Sequence, residues 1–204
     1  MMTLYYAGPS PFARKVLVAA HELGIQSQIN PVVASVSPVG QNAAVASANP
    51  LAKIPTLVLE TGQTLFDSRV IIDYFDSLTD RSLVPESGPA RWRVLTEQAQ
   101  ADGMADACLL ARYEVALRPE ALRWSDWETG QMDKVHHRSL GAFEGSVRSA
   151  GDDLTIADIA VGCALGYLDF RFSELDWRKG HPGLAAFYAA LSNRPSWIAT
   201  DPKS

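Results

Sequence analysis

Apolar residues in the first part of the chain switch between strand-like and helix-like spacing, whereas the remainder carries only the helical period. Met2–Tyr6 reads as a short strand broken by Gly8-Pro9. Ser10 can cap a helix whose first position is Pro11, where the missing N–H costs no hydrogen bond. Phe12, Val16, Ala19, Ala20 and Leu23 then recur at helical spacing, and Gly24 suits the residue just past the helix end. Ile25–Val33 is predicted as a second strand, parallel to the first through that helix. Ser37–Asn49, rich in Ala, Gly, Ser and Asn, predicts one irregular helix with loops. Thr56–Leu59 and Gln63–Phe66 flank Glu60-Thr61-Gly62 as a hairpin. Asp67 is placed to cap a helix with Val70, Ile71, Tyr74 and Phe75 as its buried stripe.

From Leu78 to Pro89 the pattern lapses into Thr, Asp, Ser, Gly and two prolines, the segment that reads as a linker. Ala90 to about Leu117 predicts a long helix stopped by Pro119. Ser125-Asp126-Trp127-Glu128 has the form of a capping box, as does Thr155-Ile156-Ala157-Asp158, with Leu154 and Ile159 as its hydrophobic staple. Pro182–Asn193 predicts the last helix, with Leu184, Phe187, Tyr188 and Leu191 inward. The pattern therefore predicts an α/β part at 1–78, a linker at 79–89 and an all-helical part at 90–204.

Composition narrows the function classes. The 204 residues are 47% hydrophobic and 20% charged, ordinary for a globular protein with ample core. A net charge of −5 offers no electrostatic footprint for nucleic acid. No run of about 18 apolar residues predicts a membrane span, so no membrane partner is expected. The N-terminus lacks a basic segment before its short apolar run, which argues against a secretory signal. Cys108 and Cys163 stand far apart without disulfide or metal-ligand spacing, so buried thiols and a cytoplasmic location are the expectation. His136 and His137 are adjacent, which on a helix turns them about 100° apart and away from a common metal. No HExxH, P-loop or GxGxxG occurs, and no metal is expected.

The chemistry gathers in three stretches: Ser10-Pro11-Phe12-Ala13-Arg14-Lys15-Val16, Asn49-Pro50-Leu51-Ala52-Lys53-Ile54-Pro55, and Leu65-Phe66-Asp67-Ser68-Arg69-Val70-Ile71. Pro55 cannot donate to a sheet ladder, so it must open its strand or lie on an edge. A cis Ile54–Pro55 bond would leave the Ile54 backbone N–H and C=O free to pair with an extended peptide.

In order and spacing these stretches resemble the glutathione-binding half of the cytosolic glutathione transferases, and the helical remainder resembles that family's second half. The resemblance covers nearly the whole chain. It implies a thioredoxin-like βαβ-ββα domain followed by a helical bundle. It also implies that Ile54 pairs with the cysteinyl unit of glutathione beside Pro55, that Lys53 neutralises the glycine carboxylate, and that Asp67 and Ser68 hold the γ-glutamyl end. Asp102, on the long helix, corresponds to an acidic residue that in some members reaches the partner subunit's glutathione. Phe12, Leu109 and Tyr113 are candidates for an apolar substrate pocket.

Ser10 is the catalytic candidate, because the glutathione thiolate is the nucleophile and a hydroxyl hydrogen bond to a charged partner contributes about 1.5–3 kcal/mol. Tyr5 or Tyr6 could supply the hydroxyl instead. The absence of any cysteine before Cys108 disfavours mixed-disulfide chemistry. The implied function is transfer of glutathione to a small electrophile, or reduction of a peroxide, by a homodimer. A non-catalytic module that binds a protein partner and a glutathione-dependent isomerase or dehalogenase are the alternatives.

Overall fold

In the computed structural model, residues 1–40, 42–146, 150–151 and 153–202 are described. Of the segment expected to be helical at 90–204, positions 147–149, 152 and 203–204 thus lie outside the described residues.

Strand β1 (Met2–Tyr6) buries Met2 and Leu4 on one face of its pleat. Helix α1 (Pro11–Glu22) follows, capped by the Ser10 hydroxyl. Its end is a Schellman arrangement: Gly24 takes φ +73°, its N–H donates to the His21 carbonyl, and the Ile25 N–H donates to the Ala20 carbonyl. The chain then departs from the expected strand at Ile25–Val33. The polar run Gln26–Gln28 forms a 3₁₀ turn, and β2 is confined to Ile29–Val33. Helix α2 (Ala43–Ala48) is short and capped by Asn42. Strands β3 (Thr56–Val58) and β4 (Thr64–Leu65) form the expected hairpin, with Gly62 at φ +86° in its turn. The sheet order is β2-β1-β3-β4, with β2 parallel to β1 and the other two pairings antiparallel.

Helix α3 (Ser68–Asp76) is capped by Asp67 as expected, but its buried stripe differs from the expected one. Ser68, Ile71, Ile72 and Phe75 face inward, whereas Val70 is 48% exposed and Tyr74 half-buried. The inward set follows i, i+3, i+4, i+7, and Val70 and Tyr74 stand about 100° away from it.

Helix α4 (Gly88–Ala116) starts within the expected linker, at a glycine with φ +75°. Helix α5 (Ser125–Asp133) passes through a π-helical stretch (Lys134–Ser139) into α6 (Leu140–Glu144). The capping box expected at Ser125 does not form: Trp124 is the N-cap residue and makes no side-chain cap. The box at Thr155 does form, opening α7 (Ile156–Arg171). Helix α8 (Pro182–Ser192) buries Leu184, Phe187 and Leu191, with Tyr188 half-buried. It is not the last helix, since α9 (Pro195–Ala199) follows.

The chain divides into two compact units, Met1–Trp92 with Pro195–Ser204, and Arg93–Arg194. The first unit thus extends past the expected linker and reclaims the C-terminus. Trp197 on α9 is 1% exposed, and its backbone carbonyl accepts a hydrogen bond from Arg14 of α1 at 3.3 Å. Both cysteines are buried, and burial pushes the Cys108 thiol up to about 12. Among the described residues no helix is long and apolar enough to cross a membrane.

Candidate functional site

Sheet register in the first unit decides which expected site residues meet. Tyr5 opposite Thr56 is the last β1–β3 pair toward the end from which α1 departs. Leu57 opposite Leu65 is the last β3–β4 pair toward the same end, two residues before Asp67. The end of β1 leading to Ser10, the start of β3 after Lys53-Ile54-Pro55, and the end of β4 leading to Asp67-Ser68 therefore lie along one edge of the sheet. Two helices, α1 and α3, begin there, and helix N-termini carry positive potential suited to anionic groups.

The Ser10 Oγ accepts a hydrogen bond from the Ala13 N–H at 3.2 Å. Capping uses a lone pair and leaves the hydroxyl hydrogen available, so the same group can cap α1 and donate outward. Tyr5 and Tyr6, the alternative hydroxyls, are half-buried in β1; by strand alternation Tyr6 shares the face of Met2 and Leu4, and Tyr5 the opposite one. Phe12 is half-buried in the first turn of α1.

The Ile54–Pro55 peptide bond is cis, as expected, and so is Phe66–Asp67, which the sequence did not suggest. Among the described residues the Ile54 backbone N–H and C=O have no hydrogen-bond partner. Lys53 is exposed and makes no ion pair among the described residues. Ser68 is 2% exposed at the first position of α3. Asp67 is more exposed, and its carboxylate accepts from the Arg69 backbone N–H at 2.9 Å and meets the Arg69 guanidinium at 3.2 Å.

Two residues that sequence reasoning passed over hold this loop in shape. The buried Asn49 donates through Nδ2 to the Lys53 carbonyl (3.1 Å) and to the Thr56 Oγ1 (3.0 Å). Its Oδ1 accepts from the Leu51 N–H (2.9 Å), and Thr56 Oγ1 donates to the same Lys53 carbonyl (2.7 Å). The bend also places Ala52 at φ 50°, a left-handed conformation unusual for alanine. The signal was present in Asn49-Pro50, a turn dipeptide followed by a short polar threonine, but nothing local reveals that these side chains share one carbonyl.

The remaining expected residues lie on α4 in the second unit. Asp102 is 6% exposed, and Leu109 and Tyr113 are half-buried. Burial raises the Tyr113 phenol above its ordinary range, against a smaller opposing effect of Arg112. No group of three or more potential metal ligands occurs among the described residues.

Comparison with known proteins bears on this arrangement. The family model for the glutathione S-transferase N-terminal domain matches residues 9–78, and that for the C-terminal domain matches residues 132–190. The chain is 34% identical over 206 residues to the uncharacterized GST-like protein YibF of Escherichia coli K12, covering 98% of both. Among solved structures, a glutathione transferase family member from Pseudomonas fluorescens Pf-5 with bound glutathione matches with a TM-score of 0.94 and 45% identity, over 100% of both chains. A glutathione S-transferase from Methylobacillus flagellatus KT with GSH bound matches with a TM-score of 0.89 and 38% identity, again over 100% of both.

Proposed function

The chain belongs to the glutathione S-transferase family, and from that premise we propose that it binds glutathione along the sheet edge from which α1 and α3 depart and activates its thiol. The observation that carries the reading is the register that draws three distant stretches to one edge, with the Ile54 backbone groups unpaired there. The glutathione bound in the two solved relatives supports the same ligand here.

In this reading the Ile54 N–H and C=O form a short strand pairing with the cysteinyl unit beside Pro55. Lys53 meets the glycine carboxylate. Ser68 and the backbone N–H groups opening α3 receive the γ-glutamyl carboxylate, and Asp67 receives its ammonium. The Ser10 hydroxyl donates to the cysteinyl sulfur, favouring the thiolate over the thiol. The thiol proton leaves to solvent, and the sulfur lone pair forms a C–S bond as the leaving group departs with its bonding pair or, in an addition, as the π pair shifts onto the neighbouring atom and takes up a proton from solvent. Reduction of a hydroperoxide by two thiols, giving a disulfide, an alcohol and water, would use the same thiolate. The family pairs its subunits, so we also propose a homodimer in which Asp102 addresses the partner subunit's glutathione.

The test is calorimetric titration with glutathione, then turnover against a panel of electrophiles and hydroperoxides. Saturable one-to-one binding that Lys53→Ala weakens about tenfold or more is expected for a lost charge-assisted contact. Absence of binding at millimolar glutathione would overturn the reading. Binding without turnover of any panel member would leave the alternative of a non-catalytic binding module.

A further inference from the structure

Between the end of α4 and the first turn of α5 the chain crosses a stretch, 117–127, in which every residue is exposed. It carries Leu117, Leu122, Trp124 and Trp127, with Leu122 66% and Trp124 61% accessible to solvent. The two indoles lie against one another, their ring centroids 6.1 Å apart and their planes 31° from parallel. Single exposed apolar residues are ordinary on a protein surface, but a group gathered in one segment, with two tryptophans in it, marks a contact surface.

The segment is held in a fixed shape. Buried Glu114, in the last turn of α4, accepts from Arg118 Nε and from the Trp124 N–H, each at 2.7 Å. A 3₁₀ turn (Glu120–Leu122) fills the span between them, with the Leu122 N–H donating to the Pro119 carbonyl at 2.8 Å. At its far end the Trp127 N–H donates to the Trp124 carbonyl at 3.1 Å. These bonds fix the backbone and leave the apolar side chains facing outward, a preorganisation that lowers the ordering cost of binding.

Charge decides what can cover it. Arg118, Glu120, Arg123 and Asp126 alternate in sign, so the segment is neutral as a whole. Glu120, Arg123 and Asp126 form no ion pair among the described residues. Arg118 is held through Nε and has further N–H donors to offer. A neutral segment on a chain of net charge −5 has no electrostatic attraction for an anionic lipid surface, and nothing in it matches a strongly charged protein partner. A second copy does match. A two-fold axis sets the partner's segment antiparallel, and reversing an alternating order of signs puts each arginine opposite an acid. With Leu122 at the axis, Arg118 meets the partner subunit's Asp126 and Arg123 comes beside the partner subunit's Glu120.

We propose that 117–127 is a self-pairing surface through which two copies of this chain associate about a two-fold axis. Leu122, Trp124 and Trp127 form its apolar centre, and Arg118 with Asp126 and Arg123 with Glu120 form the pairs across it. The proposal rests on the homodimer reading above and names the surface that brings the copies together.

The experiment is sedimentation of the full-length protein at micromolar concentration, with circular dichroism of each variant to confirm its fold. The parent chain is expected at twice its 22.1 kDa mass. Leu122→Glu, which sets two like charges together at the axis, should sediment at the chain mass. Trp124→Ala combined with Trp127→Ala should raise the dissociation constant of the pair about tenfold or more. Arg123→Glu should weaken association comparably, and Arg123→Glu combined with Glu120→Arg should restore it. Because all these positions are exposed, a variant that loses its fold can be replaced by another of the set. A parent chain at twice the chain mass, with every variant unchanged, overturns this surface and leaves the homodimer reading standing. A parent chain at the chain mass overturns both. Failure of the charge exchange to restore association overturns the two-fold pairing. Cosedimentation of the parent chain with phosphatidylcholine vesicles, abolished by Leu122→Glu, would overturn the proposal in favour of a lipid surface.

Discussion

Ser10 caps α1, and the donor role proposed for its hydroxyl does not conflict with that cap. Its oxygen caps α1 at 3.2 Å from the Ala13 nitrogen, and its hydrogen remains to be donated. Replacing Ser10 with Ala should raise the pKa of bound glutathione's thiol by roughly one to two units, the equivalent of one charge-assisted hydrogen bond. Turnover at neutral pH should fall about tenfold or more, with glutathione affinity nearly unchanged. The lost cap should also cost about 1 kcal/mol of stability, so thermal midpoints are measured alongside, with Ser10→Thr as the variant that still caps and still donates. Unchanged turnover and thiol pKa in Ser10→Ala would transfer the role to Tyr5 or Tyr6. Asn49 makes the complementary case of a positioning residue. Asn49→Ala removes both its bonds toward Lys53 and Thr56, leaving Thr56 as the one side chain on the Lys53 carbonyl. A loss of about 1–3 kcal/mol in stability is expected, together with weaker glutathione binding and a largely preserved maximal rate. A fall in maximal rate at unchanged KM would contradict a positioning role. Ser10 and Lys53-Ile54-Pro55 could be singled out in the sequence because each residue type advertises its chemistry. Asn49 could not, because its partners become neighbours only after the loop closes.

At the scale of elements, local signals were legible and signals supplied from a distance were not. Thr155 and Asp158 lie three residues apart, and their reciprocal bonds form as the spacing predicts: the Thr155 N–H donates to Asp158 Oδ2 at 2.8 Å and the Asp158 N–H to Thr155 Oγ1 at 3.4 Å. Ser125 has an equally good local pattern, yet α5 starts differently. The Trp124 N–H is taken by Glu114 Oε1, ten residues upstream at 2.7 Å, a partner no capping rule anticipates. Thr155→Ala should therefore destabilise the protein by about 1 kcal/mol and lower its thermal midpoint by roughly 2–4 °C. Ser125→Ala should move it by no more than a few tenths of a kcal/mol, the usual range for a surface change that breaks no cap. Equal shifts in thermal melts would show that the Ser125 box contributes after all. The π-helical stretch adds a pH dependence. Burial first, then His137 and His181, lowers His136 below its ordinary range. The unfolded chain then binds the proton more readily, so stability falls as pH drops below about 6.5 and is unaffected above it. Denaturant titrations between pH 5 and 7 should show a shallower slope in His136→Gln than in the parent chain.

At the scale of the whole molecule, hydrophobic period alone separated an α/β part from a helical part, and the sheet order and helix succession bear that division out. It could not show that the C-terminus returns to the first unit, because α9 is only five residues long and carries no period of its own. Sedimentation should give roughly twice the 22.1 kDa chain mass at micromolar concentration if the proposed homodimer forms, and the chain mass itself would count against it. Trp197 tests the returning segment. It is the largest fully buried side chain. Around it, Arg14 donates to its carbonyl and lies 3.7 Å from Asp201, while the Ser196 hydroxyl donates to Glu22 at the end of α1. Removing a buried indole leaves a cavity that helices as short as α1 and α9 can close only partly, a loss of about 3–5 kcal/mol. Against a typical total of about 5–15 kcal/mol, that is a large share of the protein's stability. Trp197→Ala should thus lower the denaturation midpoint sharply. Trp197→Phe, which keeps most of the apolar volume, should recover a good part of it. Asp201→Ala should do little, because its contact with Arg14 is partly exposed and long. If Trp197→Ala melts like the parent chain, α9 is merely laid on the first unit and contributes nothing to its folding.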